Sequence, residues 1–361
     1  MSLSGNKLSL VSSLRPVHGA AREVHALLKQ WQAEPAEPDR LVIETSGSTG
    51  APKRVALSRF AMQASASATY RRLGGPGQWL LALPASHVAG VQVLFRSVLA
   101  DAEPVILDEY DDLVAAAAAM SGARRYLSLV PTQLNRMLSS DRDVAALATF
   151  DVILLGGAAI DPKQRKAAAD VGLTVVATYG MSETCGGCVY DGIALDGVAL
   201  ALAADGRIRI GGPVLFDGYE GQPDLTEAVL EDGWFVTSDY GRLDEDGVLQ
   251  VLGRVDDVVI SGGVNVSTRA VAARLQEHDA ITAAEVVGVP DEGWGQRVVA
   301  ILMAPEGAPS LDAIRDFVST TLPRTWAPRD IVVVDRIPLL SNGKVDRVKV
   351  EQIAATREVR Q

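Results

Sequence analysis

Leu41-Val42-Ile43-Glu44-Thr45-Ser46-Gly47-Ser48-Thr49-Gly50-Ala51-Pro52-Lys53 is an apolar run that opens into hydroxyls and glycines and closes on a lysine. The run predicts a strand entering a glycine-rich loop. Thr45, Ser46, Ser48 and Thr49 bring four hydroxyls, Gly47 and Gly50 two glycines, and Lys53 a charge, all within nine residues. Glycine leaves backbone N–H groups unobstructed and hydroxyls donate hydrogen bonds, so the set suits the oxygens of a polyphosphate. It is not a G-x-x-x-x-G-K-[ST] loop, because Ala51 and Pro52 separate Gly50 from Lys53. Taken alone, the stretch reads equally well as a surface loop.

Working outward, residues 58–70 predict a helix with Ser58 as its cap. Apolar runs at 79–83, 104–107, 126–130, 152–155 and 174–178 predict strands, and 113–120, 132–139 and 162–169 predict helices between them. That alternation implies an α/β unit with a largely parallel sheet. After about residue 190 the short runs 207–210, 234–237 and 248–252 are separated by Asp205-Gly206, Asp232-Gly233 and Asp246-Gly247. Such pairs favour tight turns between antiparallel strands. A further unit follows, with helices at 268–277 and 311–320 and strands at 285–289, 297–303 and 331–334. The expected fold is α/β: a large N-terminal domain, 1–253, of sheets layered with helices plus a β-rich subdomain, then a small α+β C-terminal domain, 254–361.

Composition narrows the classes. Lys and Arg number 34 against 45 Asp and Glu in 361 residues, a net charge of −11, which argues against affinity for nucleic-acid phosphates. No apolar run is long enough to span a bilayer, so no stable membrane insertion is expected. Met1 to Lys7 lacks the cationic and apolar blocks of a secretory signal, and two cysteines make no disulfide framework. A reducing cytoplasm fits these features. A homodimer is expected only from how common two-fold assemblies are.

Four more stretches carry chemistry. Tyr179-Gly180-Met181-Ser182-Glu183-Thr184 follows a predicted strand, where a parallel sheet presents ligands. There a ring can pack on a base, a hydroxyl can reach a phosphate and a glutamate can bind Mg²⁺; the alternative is an ordinary strand exit. Thr237-Ser238-Asp239 ends another strand, and its carboxylate suits a pair of ribose hydroxyls or simply a turn. Gly253-Arg254-Val255-Asp256-Asp257 reads as a cation and a polar pivot, or as a charged linker. Ser341-Asn342-Gly343-Lys344 reads as a turn presenting one lysine.

In this order and spacing, the five patterns resemble the adenylate-forming superfamily of acyl- and aryl-CoA ligases, adenylation domains and luciferases, over residues 40–350. Leu154–Ala159, Val130–Leu134 and Thr178–Asp191 are similar to the o-succinylbenzoate–CoA ligases of menaquinone biosynthesis. The resemblance implies ATP, Mg²⁺ and coenzyme A, with a small carboxylic acid as substrate. It implies that Thr45, Ser46, Gly47, Ser48, Thr49, Gly50 and Lys53 close over the β- and γ-phosphates and that Ser182 approaches the α-phosphate. Gly157, Ala158, Ala159, Tyr179 and Gly180 would border adenine, Asp239 and Arg254 the ribose, and Glu183 would hold Mg²⁺. His87, Thr132, Ser182 and Gly186 would form the acyl pocket, with His87 also beside the thiol entrance or else a structural histidine. Gly262 and Gly263 would face the pantetheine of CoA. Asp256 would be the hinge of a mobile C-terminal domain, and Lys344 the catalytic lysine.

The pattern has departures. Arg54 and Ser238 stand where glycine is common, and residues 266–271 lack the usual acidic groups. The stretch before the loop is short, so a reduced amino-terminal subdomain is expected. An adenylation enzyme loading a separate carrier protein would share every nucleotide motif. A silent ATP-binding protein is a further alternative, against which Lys344, Glu183 and Asp239 argue. Cys185-Gly186-Gly187-Cys188 has redox or metal spacing, but no second ligand pair exists, so a glycine turn lining a pocket is expected.

Overall fold

Trp79, Leu80 and Leu81 point in alternation to opposite faces of a seven-stranded sheet: Trp79 and Leu81 into one apolar cluster, Leu80 into another. Tyr126 and Leu127, and then Ile153, Leu154 and Leu155, repeat the alternation on neighbouring strands. A sheet covered on both faces buries every position, which explains the nearly continuous apolar runs. The computed structural model describes residues 13–34, 39–45, 53–158, 160–338 and 345–356.

Five strands of this sheet are parallel, in the order Val105–Ile106, Gln78–Leu81, Arg125–Leu129, Val152–Leu155 and Val175–Met181. Chain order reverses between Gln78–Leu81 and Arg125–Leu129, and ligands bind at such a switch point beyond the carboxyl ends of the strands. Gly186–Tyr190 and Ile193–Ala194 continue the sheet antiparallel. The helices Val88–Leu99, Leu113–Ala118, Pro131–Leu138 and Pro162–Asp170 join the parallel strands. Val88–Leu99 and Ala21–Ala33 are not among the helices expected from the sequence.

The apolar run Leu41–Ile43 belongs to a different sheet. Asp39–Thr45 and Lys53–Ser58 form an antiparallel hairpin around residues 46–52, flanked by Ser13–Pro16 on one side and Gly218–Tyr219 on the other. Ser58 caps the next helix, Arg59–Leu73, its Oγ accepting from the Ala61 N–H at 3.2 Å.

A third sheet contains Ala199–Leu202, Arg207–Gly211, Leu230–Glu231, Trp234–Leu243 and Leu249–Arg254. Asp232 and Gly233 both have positive φ, 48° and 81°, between the paired Glu231 and Trp234, the geometry that Asp-Gly favours in two-residue hairpins.

The chain divides into two compact units. The first takes the described parts of Met1–Ala203, with Arg209–Thr237 and Leu243–Leu249; the second takes Ala204–Ile208, Ser238–Arg242 and the described parts of Gln250–Gln361. The boundary expected from the sequence, 253/254, lies four residues beyond the point at which the chain passes into the second unit for good, and the long strand Trp234–Leu243 contributes to both units. In the second unit, Val258–Ser261, Val264–Ser267, Ala283–Asp291, Gly295–Met303 and Asp330–Val333 form a sheet, with helices Thr268–Gln276, Leu311–Ser319 and Arg347–Ala355. Val266, Val271, Leu275, Ala300, Leu302 and Ile314 are in its core.

Candidate functional site

A cavity of about 270 Å³ opens at the switch point of the parallel sheet. Leu83 and Pro84 come from beyond one flanking strand, and Ser128, Leu129 and Val130 from the end of the other. Leu154, Gly156, Gly157, Thr178 and Gly180 continue the wall along the next two strands, and Gly186, Gly187 and Tyr190 complete it.

The sheet wall depends on missing side chains. A Cβ on Gly180 would lie 2.1 Å from the Gly186 carbonyl oxygen, and one on Gly156 would lie 2.3 Å from Thr178 Oγ1. Tyr179, Gly180 and Met181 are therefore still in the strand, paired with residues 186–189, and do not form the strand exit read from the sequence. Ser182–Thr184 make a short 3-10 turn, after which Cys185 adopts a left-handed conformation, φ 52°. The Cys185 carbonyl accepts from Ser65 Oγ at 3.0 Å and Gln92 Nε2 at 2.8 Å, which fastens the turn to two helices.

Both cysteines are buried in the core, and only the glycines between them line the cavity. Burial pushes the Cys185 thiol up and the Cys188 thiol up to about 12, so neither supplies the thiolate that redox or metal chemistry uses at neutral pH.

The opposite wall is the helix Val88–Leu99, with His87 at its N-terminal boundary. Gly90 lets it approach closely: a Cβ there would lie 2.2 Å from the Pro84 carbonyl oxygen. His87 lines the cavity with an exposed side chain, its Nδ1 3.4 Å from Ser86 Oγ. One and two turns further along, Gln92 and Arg96 line the same cavity, only 1% and 3% exposed. Arg96 stacks over Trp79 at 5.0 Å, its Nε lacks a hydrogen-bond partner, and no carboxylate among the described residues pairs with it. A buried unpaired guanidinium is costly unless an anion arrives to meet it.

The sequence reading does not single out Arg96 and Gln92, although two polar residues four apart in an apolar helix share a face. Of the expected pocket residues, His87 and Gly186 line the cavity; Thr132 and Ser182 do not. Thr132 is exposed on the helix Pro131–Leu138, and Ser182 is buried in the turn beyond the strand.

The phosphate-loop residues Ser46, Gly47, Ser48, Thr49 and Gly50 lie outside the described residues, but both ends of the loop are described. Thr45 and Lys53 face each other across the hairpin, and Thr45 Oγ1 donates to the Lys53 carbonyl at 3.4 Å. The Lys53 ammonium lies 5.1 Å over the Tyr219 ring, and the Tyr219 hydroxyl donates to Glu183 Oε1 at 2.8 Å. The structure thus ties the loop lysine to the glutamate of the distant Tyr179–Thr184 motif. Ala158 is exposed beside Gly157, and Ala159 lies outside the described residues.

In the second unit, the Arg254 guanidinium is 3.6 Å from Asp239 Oδ1. Asp256 lies in the 3-10 turn Val255–Asp257. Gly262 and Gly263, φ 59° and 77°, form the two-residue turn between Val258–Ser261 and Val264–Ser267. A Cβ on Gly262 would come within 2.6 Å of the Trp294 ring, so a side chain at that position would have to displace the ring. Lys344 lies outside the described residues.

Residues 8–219 match the AMP-binding enzyme family, and residues 270–344 match the AMP-binding enzyme C-terminal domain. The chain belongs to the AMP-binding enzyme family. It is 47% identical over 316 residues to a probable 2-succinylbenzoate–CoA ligase of Mycobacterium tuberculosis, covering 85% of this chain and 82% of that one. A 2-succinylbenzoate–CoA ligase of Listeria monocytogenes is 31% identical, over 91% of this chain and 73% of the relative. Among solved structures, o-succinylbenzoate CoA synthetase from Bacillus subtilis, in complex with its acyl-adenylate intermediate, superposes with a TM-score of 0.69 at 27% identity. That match covers 86% of this chain and 68% of the other.

Proposed function

We propose that the chain is an AMP-forming acid–thiol ligase that activates o-succinylbenzoate with ATP and passes the acyl group to coenzyme A, a step of menaquinone biosynthesis. The observation that carries this reading is Arg96, a buried guanidinium without a carboxylate partner among the described residues, on the wall of the switch-point cavity. An aromatic diacid needs an apolar slot for its ring and a cation for the carboxylate that does not react. Leu83, Val88, Leu129, Val130 and Leu154 supply the slot, and Arg96 supplies the cation. The names of the relatives support the same acid.

A carboxylate repels nucleophiles, and its oxygen leaves poorly. Its attack on the α-phosphorus of ATP forms a carboxyl-oxygen-to-phosphorus bond, breaks the bond to the bridging oxygen and releases pyrophosphate. The CoA thiol then attacks the acyl carbon, loses its proton and expels AMP. In this reading the 45–53 loop holds the β- and γ-phosphates, Ser182 approaches the α-phosphate, and Gly157, Ala158, Ala159, Tyr179 and Gly180 border adenine. Asp239 and Arg254 take the ribose, Gly262 and Gly263 the pantetheine, and His87 stands beside the acyl pocket. Lys344 stabilises the charge that gathers around the α-phosphorus, and Asp256 is the pivot of the unit that carries it. Losing one such preorganised donor typically costs about 10²–10³ in rate.

No group of three or more His, Cys, Asp or Glu side chains forms a metal cage among the described residues. Glu183, with Oε1 engaged by Tyr219, instead fits Mg²⁺, which commonly takes one or two carboxylates and fills its shell from phosphates and water. Bound there, Mg²⁺ would neutralise phosphate charge. The test is pyrophosphate release across a panel of aryl and acyl acids, with and without CoA, and the product mass. The expected result is o-succinylbenzoyl-CoA formed in clear preference to other thioesters. Silence with o-succinylbenzoate, or an adenylate that ignores CoA, would overturn the reading.

A further inference from the structure

Two of the four buried tyrosines give their hydroxyl to the backbone, and Tyr190 shares a hydrogen bond with Thr69 Oγ1 at 3.0 Å. Tyr70 donates to the Arg96 carbonyl at 2.6 Å, and Tyr126 reaches the carbonyls of Leu73 and Gly75 at 3.2 and 2.9 Å. Such bonds satisfy a buried polar tip and need no further explanation. Tyr219, 6% exposed, instead donates to the half-buried carboxylate of Glu183. Its ring packs edge-on against Phe216 at 4.9 Å, and Lys53 lies over it at 5.1 Å.

The surrounding backbone fixes this arrangement. Gly218–Tyr219 pair with Val55 and Ala56 on the strand that leaves the phosphate loop. The backbone N–H groups of Asp217 and Glu220 donate to the carbonyls of Ala56 and Arg54, at 2.9 and 2.8 Å. The Phe216 N–H donates to the Glu183 carbonyl at 2.9 Å. Residues 216–220 therefore bind the exit strand of the loop and hold Glu183 at both its backbone and its carboxylate.

We propose that Tyr219 is a positioning residue that sets Glu183 and Lys53 together around a metal-bound triphosphate. Its hydroxyl occupies Oε1 and leaves Oε2, which no described residue engages, as a single-oxygen ligand. Its ring face steadies the Lys53 ammonium by cation–π attraction. The inference rests on the proposed function, because it presumes that a nucleoside triphosphate binds here.

The experiment compares the wild type with Tyr219→Phe, which keeps the ring and deletes only the hydroxyl. Mn²⁺ affinity is read from the electron paramagnetic resonance of free Mn²⁺ in the presence of ATP, and metal-free ATP affinity by calorimetry in EDTA. Tyr219→Phe should weaken Mn²⁺ binding about 10-fold, the scale of one hydrogen bond to a charged group, with metal-free ATP affinity unchanged. Glu183→Gln should lose at least as much, and the double variant no more than Glu183→Gln alone. Tyr219→Leu should also weaken metal-free ATP binding, because Lys53 loses its ring. Wild-type Mn²⁺ affinity in Tyr219→Phe, or the same further loss in the Glu183→Gln background, would overturn the inference. A wild-type protein that binds no ATP under either condition would overturn the proposed function itself.

Discussion

The two walls of the switch-point cavity are built on opposite principles. The sheet wall works by omission: Gly156 and Gly180 leave space where any side chain would strike a threonine hydroxyl or backbone. The helix wall works by placement, setting Gln92 and Arg96 among apolar neighbours where charge is expensive. A wall of omission fixes the shape of the cavity, and a wall of placement fixes which molecule is worth admitting. Shape should therefore fail through folding, whereas selection should fail through catalysis alone.

Arg96→Met is the sharpest way to break that contrast. Truncating one side of a buried charge pair costs about 2–5 kcal/mol, so kcat/KM for o-succinylbenzoate should fall at least 30-fold. An analogue that keeps the reacting carboxylate and lacks the other, compared in both proteins, should lose far less. Stability should hold or rise, because an unpaired buried cation gives way to an apolar chain of similar length. Equal losses for the two acids would show that Arg96 does not select.

Gly180→Ala tests the sheet wall and should act through stability. Its Cβ would lie 2.1 Å from a backbone oxygen, so the strands Val175–Met181 and Gly186–Tyr190 must part. Overpacking of that kind costs about 1–3 kcal/mol, read as a lower urea midpoint at constant slope. An unchanged midpoint would mean that the strands can separate without penalty.

The same contrast explains what the sequence disclosed. Omission leaves a textual trace: the stretches around Gly47 and Gly180 stand out from their own residues, whereas those around Gly156 and Gly262 stand out only through the family resemblance. The parallel strands were legible because a sheet buried on both faces writes unbroken apolar runs. Placement leaves a fainter trace. Val88, Val91, Val93 and Val98 give the helix Val88–Leu99 a strand-like texture, and Gly90 adds a helix breaker, so tertiary packing overrides local preference there. With the helix unread, Arg96 and Gln92 had no face to share. Tyr219 was illegible for another reason: its partners Lys53 and Glu183 are far away in the chain and meet it only through the pairing of a two-residue strand.

The smallest expected effect concerns the layer behind each wall. Cys188 lies in the strand Gly186–Tyr190 behind the sheet wall, and Tyr70 donates to the Arg96 carbonyl behind the helix wall. Burial pushes both groups up to about 12, from 9.0 for the thiol and 10.0 for the phenol. The unfolded chain therefore releases these protons at a pH where the folded chain still holds them. The stability that each contributes is complete below its unfolded value and drains away as pH rises toward 12. The slope is about 1.4 kcal/mol per pH unit for each group once its unfolded form is ionised. Urea midpoints at pH 8, 10 and 11 should fall in sequence, with Cys188→Ala flattening the decline from pH 9 and Tyr70→Phe flattening it from pH 10. If Cys188→Ala leaves the decline unchanged while Tyr70→Phe flattens it, only the helix wall is backed by a group that must stay neutral for the protein to remain folded.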